Sequence, residues 1–464
     1  MSRGLVVRHE STLLRRGVSW WVALALLAVG VAYAWSNGST FRERGVAEVA
    51  SEIAAAEEHL ESEREAVAAG EPGGFSGRAG SARTVAVKPT GRLSDFAIGQ
   101  SELYPYRADI SAFRRGDNLF RNYQLQSPLT LLSGRFDLSF VVVYLLPLLV
   151  IALSYDLLSA EKERGTLPIA MTQPISIRQL FDAKLVARFA LVLVPFVLLA
   201  TAAFLASADL SGERSLLFAL WTLTATAYGL FWLAVAAFVN SSGRSSQTNA
   251  VILACLWLAL VVIVPGVLNI LVGTMKPTPS RLLYVTEMRS ATAEASKRSG
   301  EVLAKYYEDH PELAAAEMQG GFLPAYFAQQ REIEARVRPI VDDFEWRLDA
   351  QQRLVRATSV LSPAVLVQES FNDIAGTGLA RQRSFSTQTR EFLAQWHEAL
   401  RPKIFTAADM TLADYGRLPG FDFREESLGE ISRRAVTSVL KLLIPAAALL
   451  LWARRRVGAV SVIA

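Results

Sequence analysis

The chain has 464 residues, 51% hydrophobic and 20% charged, with a formal net charge of +4 and a pI near 9.1. It is too apolar for a soluble protein of this length and too charged for spans alone, which points to an integral membrane protein with sizeable aqueous parts. The single cysteine, Cys255, excludes an intrachain disulfide, and the basic excess lies largely beside apolar runs, so it gives no reason to expect nucleic acid.

A spanning helix needs about 20 mostly apolar residues. Residues 1–35 are a basic start (Arg3, Arg8, Arg15, Arg16) and a first span, Val18–Trp35. With Ala32-Tyr33-Ala34 this stretch also has the form of a signal peptide, whose removal leaves the remaining five spans oriented alike. In residues 36–137, positions 44–69 read as a Glu-rich helix extending span one. Positions 70–83 read as a glycine-rich loop without the Gly-Lys-Ser/Thr ending of a phosphate loop, and Thr84–Val87 as a short strand.

Residues 138–272 hold spans two to five: Leu138–Tyr155, Leu185–Ala206, Leu216–Val239 and Asn249–Val272. A charged turn, 156–184, separates spans two and three. Residues 273–434 read as a mostly helical domain, in which Ile333, Val337, Ile340, Val341, Phe344 and Leu348 mark one apolar face. Pro339 falls inside that pattern and marks a kink or split. Residues 435–464 carry span six, Ala435–Trp452, and the tail Arg454-Arg455-Arg456.

Lys and Arg in short flanks set orientation. The N-terminal segment, the turn (Lys162, Arg164, Arg178, Lys184), Arg244 and the tail all fall on one side if both termini are cytoplasmic. The expected fold is therefore an all-α polytopic membrane protein. It has six transmembrane helices, cytoplasmic N- and C-termini, and two large, mostly helical extracytoplasmic segments.

Within the spans, Arg188 and Lys441 read as snorkelling to the nearest interface. Pro147, Pro195, Pro265 and Pro445 read equally as hinges or as ordinary membrane-helix prolines. The four histidines are scattered and match no metal spacing, no Gly-x-Ser-x-Gly elbow exists, and Gly376-Thr377-Gly378 reads as a turn. No catalytic, metal or cofactor constellation emerges, so enzyme chemistry is not expected of this chain.

In the turn, Ser176 and Gln179 have capping-box spacing, so a helix should start at Ile177 and run through Lys184 into span three. Gly165 provides a break, and Pro168 and Pro174 should keep the connecting stretch non-helical. On physical grounds the turn is equally a coupling element and a solvated positive-inside loop.

The series Glu161-x-Glu163-x-Gly165-Thr166-Leu167, then Gln173-Pro174-Ile175-Ser176 and Lys184, resembles the turn after the second span of type-2 ABC exporter permeases (ABC-2 type). The segment from Pro128-Leu129 through Gly134-Arg135-Phe136-Asp137 to Tyr144-Leu145-Leu146-Pro147-Leu148, with Trp396-His397 and Asp414-Tyr415-Gly416-Arg417-Leu418-Pro419-Gly420-Phe421, is similar to a branch with large external loops. The resemblance implies a permease subunit in the bacterial cytoplasmic membrane that pairs with a second permease subunit and is driven by a separate cytoplasmic ABC ATPase, which binds the ATP. It places Glu161, Glu163, Gly165, Thr166, Leu167, Pro174 and Lys184 in the coupling turn, and Arg178, Gln179 and Phe181 in its helix. The large external segments imply contact with envelope proteins through 273–434. Two other readings stand beside it: an envelope scaffold or signalling protein displaying that domain, and a secondary transporter, which would need internal repeats and midplane ionisable groups.

Overall fold

A computed structural model describes residues 3–70, 79–119, 135–207, 209–275, 277, 281–314, 322–406 and 408–458. Helix α1 (Arg3–Arg16) leads through Gly17 into α2 (Val18–Ala68), followed by an antiparallel hairpin of β1 (Arg83–Val87) and β2 (Arg107–Ser111). Then come α3 (Leu138–Glu163, broken at Tyr155–Leu158), α4 (Leu167–Met171), α5 (Ile177–Leu205), α6 (Gly212–Asn240) and α7 (Ser246–Met275). The remaining stretch holds α8 (Arg281–Lys297), α9 (Ser299–Asp309), α10 (Phe322–Thr358), α11 (Pro363–Ala375), α12 (Leu379–Thr406), α13 (Leu412–Tyr415) and α14 (Leu428–Val457). Helices α2, α3, α5, α6, α7 and α14 are long and apolar enough to cross a membrane. Among the described residues the fold is all-α and of multi-pass membrane type, with one small sheet.

The six spans fall where hydropathy placed them, and α2 continues unbroken through the Glu-rich stretch as expected. Glycine is required where α2 leaves the bundle: the backbone of Asp95 lies so close to Gly38 that no Cβ would fit.

Spans two and five each contain one π turn, Val141–Leu145 and Ala259–Ile263, with a proline two residues after it. Pro147 has no N–H to donate to the Val143 carbonyl, and the Tyr228 hydroxyl donates to that carbonyl instead, at 3.1 Å. In span five the Ser362 hydroxyl donates to Leu260 O at 3.0 Å. Pro195 and Pro445 sit inside continuous helices.

The two long inter-span segments form one body. Ala86, Ala108 and Ile110 of the hairpin share a core with Phe327 of α10 and with Phe385, Phe392, Trp396 and Leu400 of α12. The α12 residues recur at the spacing of one helical face. Glu63 of α2 is buried there, accepting from Ser81 Oγ at 2.9 Å and from the Tyr415 hydroxyl at 3.4 Å. The stripe on α10 packs Ile333, Val337 and Val341 against Ala291 and Ala295 of α8. Helix α10 continues through Pro339 without splitting, and that residue lies on its exposed side while the stripe holds the opposite face. Phe344, by contrast, is 37% exposed.

Helix α11 belongs to the bundle rather than to this body. Leu366, Val367, Phe371 and Ile374 join the core of the spans, and Phe371 stacks on Trp221 of α6 with centroids 5.0 Å apart. The sequence reading assigned this helix to the domain of residues 273–434.

Candidate functional site

The turn between spans two and three lies at the end of the bundle opposite the appended body. Each segment that the basic flanks assigned to one side meets there. Ser176 accepts from Gln179 N at 3.2 Å and Gln179 Oε1 from Ser176 N at 3.1 Å, so the capping box forms and α5 starts at Ile177. Gly165 has φ +68°, a left-handed conformation that suits glycine, and open space surrounds the position of its missing Cβ. One expectation is corrected: residues Leu167–Met171 are helical. Pro168 is the second residue of that helix, where its missing N–H has no intrahelical acceptor to leave unpaired. Pro174 lies in the exposed connection that follows.

Beneath the turn is a buried ion network. Lys184 Nζ is 2.8 Å from Glu161 and 3.6 Å from Glu10 of α1. Arg188 pairs with Glu10 at 3.4 Å and with Asp156, and also donates to Leu153 O at 2.7 Å. Arg188 is therefore bound inside the protein, which corrects the snorkelling expectation. Its head faces acceptors from α1 and α3, so it has no need to reach the interface. Three carboxylates face two cations, and each cation reaches more than one acid.

Glu163 is exposed but reaches across to α7. Its Oε1 accepts from the backbone N of Ser246 at 2.6 Å, satisfying one of the orphan donors at the start of α7, where a carboxylate also suits the helix dipole. Ser246 Oγ donates to Ser159 Oγ at 2.8 Å. The break in α3 is stitched by Asn240 of α6, which accepts from Leu157 N at 3.0 Å and donates to Ser154 O at 2.9 Å. Asp182 pairs with Arg454 of the basic tail at 2.8 Å, and the guanidinium of Arg178 fills the space beside Gly458.

The predicted residues thus divide into two groups. Phe181 and Lys184 are buried, and Leu167 packs with Val6, Leu180 and Ala183. Glu161 and Glu163 brace the turn from below, and Gln179 is engaged in the cap. The outward surface is made by Lys162, Arg164, Thr166, Pro168, Thr172, Pro174 and Arg178, with Ile169 68% exposed at its tip. Sequence reasoning missed Glu10, Asp156, Asn240 and Ser246. Glu10 left a signal: it is the one acid in a segment carrying Arg3, Arg8, Arg15 and Arg16.

Chemically, this arrangement is an exposed turn tied to neighbouring helices by ion pairs and hydrogen bonds. It holds no nucleophile beside a base, and among the described residues no group of His, Cys, Asp and Glu is arranged to hold a metal.

Residues 281–424 match a family described as a domain of unknown function, DUF3526. The match runs from α8 through α13 and includes α11. No curated protein matches the chain.

Proposed function

We propose that the chain is the membrane-spanning permease subunit of an ATP-driven exporter of the ABC-2 type. In this reading it sits in the bacterial cytoplasmic membrane with both termini cytoplasmic and pairs with a second permease subunit. A separate cytoplasmic ATPase binds and hydrolyses the ATP and grips the turn between spans two and three. The observation that carries this reading is the joint itself. An exposed tip with basic residues and Ile169 stands on a buried network that ties it to α1, α3, α5 and α7. A solvated loop needs no such foundation, whereas a loop that transmits force does.

The docking surface in this reading is Arg164, Pro168, Ile169, Pro174 and Arg178. Glu161, Glu163 and Lys184 carry displacement inward to spans two, three and five. The appended body, on the extracytoplasmic side, meets envelope components through 273–434.

The test is a pull-down from gently solubilised membranes using wild type, Ile169→Asp and Glu163→Gln. An ATPase that co-purifies with wild type and is lost with Ile169→Asp, at unchanged thermal stability, is the expected result. No ATPase with any of the three would sink the reading and leave a scaffold displaying the appended body.

A further inference from the structure

A cleft of about 350 Å³ lies where the spans meet α10 of the appended body and α11. One wall comes from the spans and is largely apolar: Val143 and Tyr144 of α3, Val261 and Pro265 of α7, with Asn269 of α7 as its polar member. The first four of these residues lie in or beside the two π turns, a helical irregularity that recurs at functional sites. The facing wall is polar and comes from α10 and α11, with Gln352, Gln368 and Glu369.

The cleft is also lined by Arg356 of α10, and its two acids, Glu369 and Asp373, are paired unequally. Asp373 is matched by Arg434 of α14 at 3.1 Å. Glu369, among the described residues, has no cation within 4 Å, and its carboxylate receives one long bond, 3.5 Å from Gln352 Nε2. Burial, helped by Asp373, outweighs Arg356 of the same cleft and Lys441 of α14, and pushes the Glu369 carboxyl up to about 7. A half-buried carboxylate with no directly paired cation, beside apolar side chains of the spans, suits a cation attached to an apolar group.

We propose that this cleft binds a small amphiphile bearing a protonated amine, its ammonium on Glu369 and its apolar part against Tyr144, Val261 and Pro265. The site stands whether or not the chain works with an ATPase, since its test needs the purified chain alone. The ammonium can belong to a soluble alkylamine or to an aminophospholipid head group, which share this chemistry.

Binding draws Glu369 to its ionised form, so affinity for the amine should rise as pH rises through about 7. The charged or titratable groups around it are Arg356 from α10, Arg434 and Lys441 from α14, Tyr144 from α3, and Asp373 on its own helix. Burial raises Asp373 as well, against the pull of Arg434, so the Glu369 variant is what separates the two acids.

The experiment uses the full chain in detergent and native mass spectrometry, with octylammonium, octanol and octyl sulfate as probes at pH 6 and pH 8. Octylammonium should bind wild type best and more tightly at pH 8. Glu369→Gln should weaken it about tenfold at pH 8, equivalent to removing one charge-assisted contact, and abolish the pH difference. Val261→Phe, which fills the cleft, should weaken octylammonium at both pH values. Displacement of octylammonium by phosphatidylethanolamine but not phosphatidylcholine would identify a lipid head group as the source, and indifference to both would identify a soluble amine. Equal octylammonium binding by wild type and Glu369→Gln, or preference for octyl sulfate, would overturn the proposal.

Discussion

Arg188 and Arg214 sit at opposite ends of the hairpin formed by α5 and α6, both almost wholly buried, and they are neutralised in different ways. Arg214 faces a single acid, Asp95, with the Ser207 hydroxyl accepting at 3.1 Å, and its Nε and Nη1 are buried without a hydrogen-bond partner. Burial raises the Asp95 carboxyl more than Arg214 lowers it, as happens when desolvation outweighs the pairing energy. Arg188 shares one acid, Glu10, with Lys184, pairs with Asp156 as well and donates to a backbone carbonyl, leaving only its Nε buried without a partner. A single pair fixes one contact in one place. A shared acid lets the two cations divide it between them without leaving a bare charge, which is the property that the proposed coupling role needs.

The sharpest way to break this comparison is to remove the arginines. Arg214→Met strands Asp95 and should cost about 3–5 kcal/mol in thermal unfolding, and the double change Arg214→Met with Asp95→Leu should recover most of it. At the other end, Arg188→Met with Asp156→Leu should recover about half or less, because Glu10 keeps only Lys184. Equal recovery at both ends would refute the distinction.

The appended body offers the next effect. Burial, ahead of the neighbouring Arg331 charge, lowers His397 from 6.5 to about 3. Its Nε2 lies 3.2 Å from Ser111 O, to which the neutral ring donates. The unfolded chain binds the extra proton first as pH falls. The stability contributed by neutral His397 is therefore complete above pH 6.5 and is lost between there and about pH 3, at up to about 1.4 kcal/mol per pH unit. His397→Gln should flatten that slope in pH-dependent melting. An unchanged slope would remove His397 as its source.

Smaller effects belong to the turn. Gly165→Val forces a branched residue to positive φ with no clash to add, and should cost about 1–2 kcal/mol, against a few tenths for Gly165→Asn. Ile169→Asp should move stability by less than about 0.5 kcal/mol while, on the proposed reading, abolishing ATPase association. A large loss of stability there would mean that Ile169 is structural.

Much of the bundle is legible in the sequence because a span announces itself by local hydropathy, and the start of α5 is legible because a capping box is written in four consecutive residues. Strand β2 was missed since Arg107-Ala-Asp-Ile-Ser offers only two buried positions, Ala108 and Ile110, amid polar ones. The joining of the two inter-span segments into one core depends on contacts hundreds of residues apart, which no local pattern encodes. The charged turn and the resemblance both pick out Glu161 and Glu163, yet neither shows their partners, because Lys184 and Ser246 come from other helices. The matching part of the resemblance that includes Pro128–Gly134 lies outside the described residues.

Helix α2 has 51 residues, so at about 1.5 Å per residue it is a rod of about 75 Å, of which roughly 50 Å projects beyond Trp35. The hairpin and α13 rest on that projecting arm, while its other end is rooted beside α5, where the Trp20 indole donates to Leu191 O at 3.3 Å. Such a rod is a lever with its fulcrum in the bundle. A tilt of about 5° there sweeps the far tip through about 4 Å, the scale of one helical turn. Conversely, anything that grips the tip gains leverage over the helices around the root.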